Sequence, residues 1–193
     1  GRTPLYVAVD THLVAGRSNR GDLPALEEHT ALDVAKLLLA NGANPDISLK
    51  LYPPAREIVY DRANDFNIMN TGATPIQQAS YMGDVAMMEL LLEYNANWEQ
   101  PNVFGVTPMI ALTSKSTDEH TRGSGKTELD VMKGLDLLRE AGANINQKGG
   151  RYGETPLHAS ARMNWHTVVT FLVESGADLY AEDDRGLIPL QYA

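Results

Sequence analysis

Thr155-Pro156-Leu157-His158-Ala159, followed by Val168-Val169, Phe171-Leu172-Val173 and then Gly176-Ala177-Asp178, is the stretch whose reading decides the fold. A threonine at the N-cap accepts a hydrogen bond from a free N–H of the first helical turn, and proline in the next position supplies a preset φ where no N–H partner existed. Thr-Pro therefore starts a helix. Glycine after the second apolar run tolerates the left-handed conformation that ends one. Between these marks the pattern predicts a helix near Pro156 to Met163 and another near Thr167 to Glu174, each apolar along one stripe. Neither can bury that stripe alone, so such units must stack on neighbours.

The same frame recurs along the chain. It appears as Thr3-Pro4-Leu5 with Gly42-Ala43-Asn44, Thr74-Pro75-Ile76 with Asn95-Ala96-Asn97, Thr107-Pro108-Met109 with Gly142-Ala143-Asn144, and Ile188-Pro189-Leu190. Pro75 to Pro108 and Pro156 to Pro189 are each 33 residues apart. In motif and period the chain resembles the ankyrin repeat over nearly its whole length. The resemblance implies an all-α ankyrin-repeat solenoid of stacked helix pairs with finger loops, four repeats plus one incomplete, forming a single domain over 1–193. The repeats fall at about 1–48, 70–100, 101–148, 149–183 and 184–193, and Pro4, Pro75, Pro108, Pro156 and Pro189 should each open a helix. Of the five histidines, His158 stands where the family uses the ring to bridge backbone groups of adjacent repeats.

Three stretches depart from the bare period. Inter-helix insertions at 11–30 and 114–126 lengthen repeats one and three, and each ends in a fresh helix start, Thr30 with Asp33 and Thr127 with Asp130. Both should lie on the edge away from the fingers, and removing Lys115 to Lys126 should cost little stability because loop length changes closure entropy only slowly. The third departure is an extended finger or arm at 49–69, carrying Tyr52, Arg56, Tyr60, Arg62 and Phe66, residue types that anchor interfaces. The arm either binds a partner or folds back over apolar repeat surface. Arrays with such insertions are similar to ankyrin proteins among exported or multidomain bacterial proteins, which implies an extracytoplasmic location over a cytoplasmic one.

Composition narrows the function. With 16 basic and 25 acidic residues the net charge is −9, a field that repels phosphate backbones, so nucleic acid is not an expected partner. Apolar runs are too short for membrane insertion, and the absence of cysteine removes thiol catalysis and Cys-ligated zinc. Gly123-Ser124-Gly125-Lys126-Thr127 looks like the end of a phosphate-binding loop, yet it lacks the earlier glycine and the preceding strand. Arg20-Gly21-Asp22-Leu23 reads as a polar turn. The histidines His12, His29, His120, His158 and His166 are too scattered for a metal or catalytic centre, so no cofactor and no enzyme activity are expected.

The family resemblance implies that fingertips and the ends of the first helices face the partner. Those positions are Asn70, Thr71, Tyr81 and Met82; Val103, Phe104, Ser114 and Lys115; Arg151, Tyr152, Arg162 and Met163; and Asp184 and Arg185. The expected function is a protein–protein interaction scaffold. The competing expectation is a structural or targeting segment of a larger enzyme or secreted effector, with further domains or repeats on the same polypeptide.

Overall fold

A computed structural model describes residues 3–15, 30–49, 72–114 and 126–193. Eight α-helices occur there: α1 (Pro4–Ala15), α2 (Ala31–Ala40), α3 (Pro75–Met82), α4 (Val85–Glu93), α5 (Pro108–Thr113), α6 (Glu128–Glu140), α7 (Pro156–Arg162) and α8 (His166–Glu174). A 3₁₀ turn over Pro189–Tyr192 follows, so each of the five prolines opens a helical segment. Odd-numbered helices form an inner row, each packed on the next, and the even-numbered ones form an outer row. The described residues contain no strand, only an isolated bridge between Gly149 and Glu154.

The starts follow the threonines. Thr30, Thr74 and Thr127 each sit in a capping box with Asp33, Gln77 or Asp130, so two orphan groups are satisfied at once. The stops follow the left-handed residues, Gly42 at φ 84° and Gly176 at φ 90°, with Asn95 at 58° in the same role. Between them Leu5, Ile76, Met109 and Leu157, one from each inner helix, join Met87, Leu91, Leu138 and Leu172 of the outer row in one continuous core.

The third position of the inner helices also ties repeat to repeat. Gln77 accepts from the Thr74 amide at 2.8 Å and donates from Nε2 to the carbonyls of Gln100 at 2.8 Å and Val106 at 2.6 Å. His158 accepts at Nδ1 from the Thr155 amide at 3.2 Å and, with its proton on Nε2, donates to the Leu187 carbonyl at 3.0 Å. Tyr6 donates from its buried hydroxyl to Gln78 at 3.3 Å. Repeat three breaks the pattern: Ile110 stands at this position, Thr107 makes no side-chain cap, and its hydroxyl is buried without a partner. Thr107-Pro108 thus starts a helix on proline and packing alone, against the expectation that the threonine caps it.

Two junction features compensate. Gly150 donates to the Gly105 carbonyl at 3.3 Å, and Glu128 at the start of α6 accepts from the Thr167 amide of α8 at 2.9 Å. Trp165 cannot cap its own helix as Asp84 caps α4, so the acid of the preceding repeat takes over. The Thr167 side chain first, and then the Thr167 and Val168 amides, hold the Glu128 carboxyl below its usual range against an opposing effect of desolvation.

Three boundaries differ from the sequence reading. The helix α1 runs on to Ala15 because nothing before Gly16 breaks it, so the first insertion starts inside a helix. Leu49 is no part of a projecting arm: it is 3% exposed and exchanges backbone bonds with Ala73 and Gly72 at 2.9 and 3.0 Å. Ser114 and the amine of Lys126, at the two ends of the second insertion, are packed into the stack, and deletion through Lys126 would remove buried contacts. The rest of both insertions, and residues 50–71, lie outside the described residues.

A Cβ on Gly149 would stand 2.6 Å from the Gly105 carbonyl oxygen and 3.0 Å from Ile110. Because the first of these is backbone, Gly149→Ala should lower unfolding free energy by about 1–3 kcal/mol in urea titration. The Glu128 carboxylate contributes stability above the unfolded glutamate pKa that disappears as pH falls through the depressed folded value. Glu128→Gln should therefore melt below the parent at neutral pH, with the gap closing on acidification; a gap that widens in acid contradicts the cross-repeat cap.

Candidate partner-binding surface

The fingers are short loops: two are closed by an acceptor side chain together with backbone bonds, and the one bearing Tyr152 by the Gly149–Glu154 backbone bridge. Asn102 Oδ1 accepts from the amides of Phe104 at 2.9 Å and Val106 at 3.0 Å, closing a turn that drives Val103 and Phe104 outward. Asp183 Oδ1 makes the equivalent pair with Arg185 and Leu187, both at 2.8 Å, and presents Asp184 and Arg185. Apolar surface results: Val103 is 65% exposed, Phe104 44% and Tyr152 37%.

Tyr152 is flanked by cations. The Arg185 guanidinium lies 4.2 Å from its ring centre and that of Arg151 5.3 Å, distances at which the ring face attracts positive charge. Among the described residues no carboxylate pairs with Arg151.

Arg162 and Arg185 are committed elsewhere. Glu154 accepts from Arg162 at 2.7 and 2.8 Å and meets Arg185 at 3.5 Å, and Asp183 takes Arg185 at 2.9 Å. The Tyr192 hydroxyl sits between the acids, 2.6 Å from Asp183 and 3.1 Å from Glu154, while its oxygen also accepts from Arg185. Desolvation, then the hydrogen bond to Asp183, pushes the Tyr192 phenol above its usual range. Burial alone would raise the Asp183 carboxyl; hydrogen bonds from Tyr192, the Leu187 and Arg185 amides and the Arg185 side chain hold it well below the carboxylate range instead. The His158 ring meets Tyr192 edge-on at 5.3 Å.

Of the expected surface residues, Val103, Phe104, Arg151, Tyr152 and Arg185 share the finger row, with Met163 half-buried and Arg162 exposed at the end of α7. Tyr81 is a correction. It is 2% exposed, packed with Val106, Ile110 and Ala111, because α5 closes over it; Met82 is half-buried beside it. Ser114 is likewise buried, its hydroxyl donating to the Ile110 carbonyl at 2.7 Å. Tyr52, Arg56, Tyr60, Arg62 and Phe66, with Asn70, Thr71 and Lys115, lie outside the described residues. The carboxylates Glu154 and Asp183 and the phenol of Tyr192 escaped the sequence reading. An acid directly before Thr155 was the available signal, but its partners come from up to 38 residues away. Among the described residues no group of His, Cys, Asp or Glu could hold a metal ion, and no helix is long and apolar enough to cross a membrane.

A stack of helix pairs with projecting fingers, bridged at the third inner-helix position, defines the class, and the comparisons agree. The ankyrin repeat family model matches residues 1–49, 71–103 and 152–184, more than half of the chain, and the chain belongs to that family. It is 27% identical over 165 residues to alpha-latrotoxin-Lt1a of Latrodectus tredecimguttatus, a match spanning 84% of this chain and 11% of the toxin. It is 29% identical over 135 residues to a putative ankyrin repeat protein of fowlpox virus, covering 63% of this chain and 28% of that protein. Ankyrin repeat and SOCS box protein 5 of Oryctolagus cuniculus is 39% identical over 56 residues, 29% of this chain and 16% of the rabbit protein. The chain thus spans a small part of these relatives. Ankyrin repeats generally mediate protein–protein interaction and are typically non-catalytic binding modules.

Tyr192→Phe removes the hydroxyl that links Asp183 to Glu154 and should lower unfolding free energy by about 1–2 kcal/mol, read by denaturant titration. An unchanged midpoint would show that the arginines alone satisfy both acids.

Proposed function

We propose that this chain is a scaffold that binds another protein through its finger row, with Val103, Phe104 and Tyr152 as apolar anchors and Arg151 as the charged one. The observation that carries the reading is the exposure of three large apolar side chains, 65%, 44% and 37%, on adjacent loops held by rigid turns. Apolar residues at loop tips cost solvation unless something covers them, and aromatic and arginine side chains dominate interface energies. Preformed turns also reduce the entropy lost on binding.

A second reading is a structural or targeting segment of a larger enzyme or secreted effector. It draws support from the match to alpha-latrotoxin-Lt1a, of which this chain spans 11%. The readings are compatible if the fingers hold another part of the same polypeptide.

A photocrosslinking residue at position 104 would capture the partner, and affinities of purified variants would then test the surface. Phe104→Ala and Tyr152→Ala should each weaken the complex at least about tenfold with helical content intact, whereas Lys36→Ala on the outer helix α2 should not. If Phe104→Ala lowers the melting temperature and spares affinity, Phe104 packs against its own chain and the surface lies elsewhere.

A further inference from the structure

The last inner segment differs from the others in what covers it. Leu190 is 76% exposed, whereas Leu5, Ile76, Met109 and Leu157, which stand at the same place after their prolines, are at most 3% exposed. Those four share a core with Leu39, Leu91, Leu138 and Leu172 of the outer helices; among the described residues no outer helix follows Leu190. Two residues of the fourth repeat lack cover as well. Leu179 occupies the place of Trp98, which lies against the turn of the next repeat, 3.5 Å from where a Gly142 Cβ would stand. Tyr180 occupies the place of Asp46 and Asn146, which accept from the amides of Asn97 at 2.7 Å and Asp178 at 2.8 Å, each in the turn of the next repeat. Leu179 is 48% and Tyr180 77% exposed. The bridge is half made too. Gln191 accepts at Oε1 from the Ile188 amide at 2.9 Å, as Gln77 does from Thr74, yet its Nε2 meets no carbonyl among the described residues where that of Gln77 meets two.

We propose that the Leu190 end of the stack is an open repeat junction that takes the outer helix, glycine turn and following finger of a fifth repeat carried on the same polypeptide. The face is separate from the finger row, so the proposal does not depend on what the fingers bind. Each uncovered group asks for one part of that unit. Leu190 asks for an apolar stripe at helical spacing, such as the outer helices give the earlier inner ones; Leu179 and Tyr180 ask for a tight turn. The Gln191 amide asks for a finger carbonyl, as Val106 serves Gln77. These requirements converge on one helix, turn and finger, and large apolar groups left in water at the end of a stack mark a surface that something covers. A second copy fits poorly. Its first repeat would enter where Pro189–Tyr192 already stands, and each copy carries a net charge of −9, with Glu174, Asp178 and Glu182 exposed along this stretch. A tethered unit arrives at high effective concentration, whereas a separate helix surrenders its own translation and rotation.

Repeat alignment fixes the register of that unit. Ile188-Pro189-Leu190-Gln191 matches Thr155-Pro156-Leu157-His158, so Ala193 matches Ser160 and the completing unit is equivalent to residues 161–187. Its helix would lie beside α8, where Val173 is exposed; Leu39, at the matching place in α2, is buried, with α4 as the next outer helix.

The test joins a copy of residues 161–187 after Ala193 of the full chain. Amide exchange at Gln191 and Tyr192 should slow at least about tenfold relative to the parent, and the urea midpoint should rise, because one more nearest-neighbour junction has formed. Leu190→Lys should leave the melting temperature of the parent unchanged and remove the protection in the extended chain. Exchange that stays at the parent rate, or protection that survives Leu190→Lys, overturns the proposal. So does a parent dimer in sedimentation that Leu190→Lys disperses, since a second copy would then hold the face.

Discussion

The register of this stack rests, at two of its boundaries, on a side chain reaching across to backbone carbonyls. Gln77 does so with one amide nitrogen on two carbonyls, and His158 does so with a ring whose other nitrogen is occupied at home. Apolar packing is tolerant of sliding, because leucine and methionine surfaces lose little over small displacements, whereas a buried donor is costly to leave unpaired. The bridges therefore set the register between repeats, while the core supplies most of the cohesion. They also satisfy the carbonyls of the next finger, so the finger enters its turn already anchored.

That anchoring frees the fingertips from structural duty. The turns at Asn102 and Asp183 are closed by a side-chain acceptor together with backbone bonds. The side chains of Val103 and Phe104 take no part in that closure, so substitution there alters what the surface presents more than its shape, whereas Arg185 is held by Asp183 and Glu154. The acid, arginine and tyrosine cluster around Glu154 works differently: it is polar, largely self-satisfied, and fastens the last helical turn to repeat four. Arginines spent on that cluster are less available to a partner, so the proposed binding role falls more on Arg151 than on Arg162.

Helix starts, helix stops and repeat boundaries were legible because each depends on residues within three or four positions: threonine with proline, then glycine or asparagine. The surface was legible only where the same local logic holds, as at Val103, Phe104 and Tyr152. Tyr81 was misread because its cover comes from α5 and from Lys126, 45 residues further on, and periodicity does not record what lies over a helix end. Thr107 was misread for a smaller reason: the reciprocal half of a capping box needs a polar side chain at the third helical position, Ile110 is there, and the Thr107 hydroxyl receives no amide either. The Glu128 cap and the bonds that bring Arg185 and Tyr192 to Glu154 join residues 31 to 39 apart, a distance at which pairing has no sequence signature.

The missing bridge at Ile110 has a geometric corollary. Between repeats three and four the fingers are tied by Gly150 and Gly105 and the outer helices by Glu128 and Thr167, but the inner helices α5 and α7 touch without a side-chain latch. A stack tied along two rows and unlatched along a third bends more readily than it shears, and the soft direction runs through the inner row. Bending at this joint is therefore taken up along the concave wall, while Phe104 and Tyr152, beside the Gly105–Gly150 tie, keep their spacing.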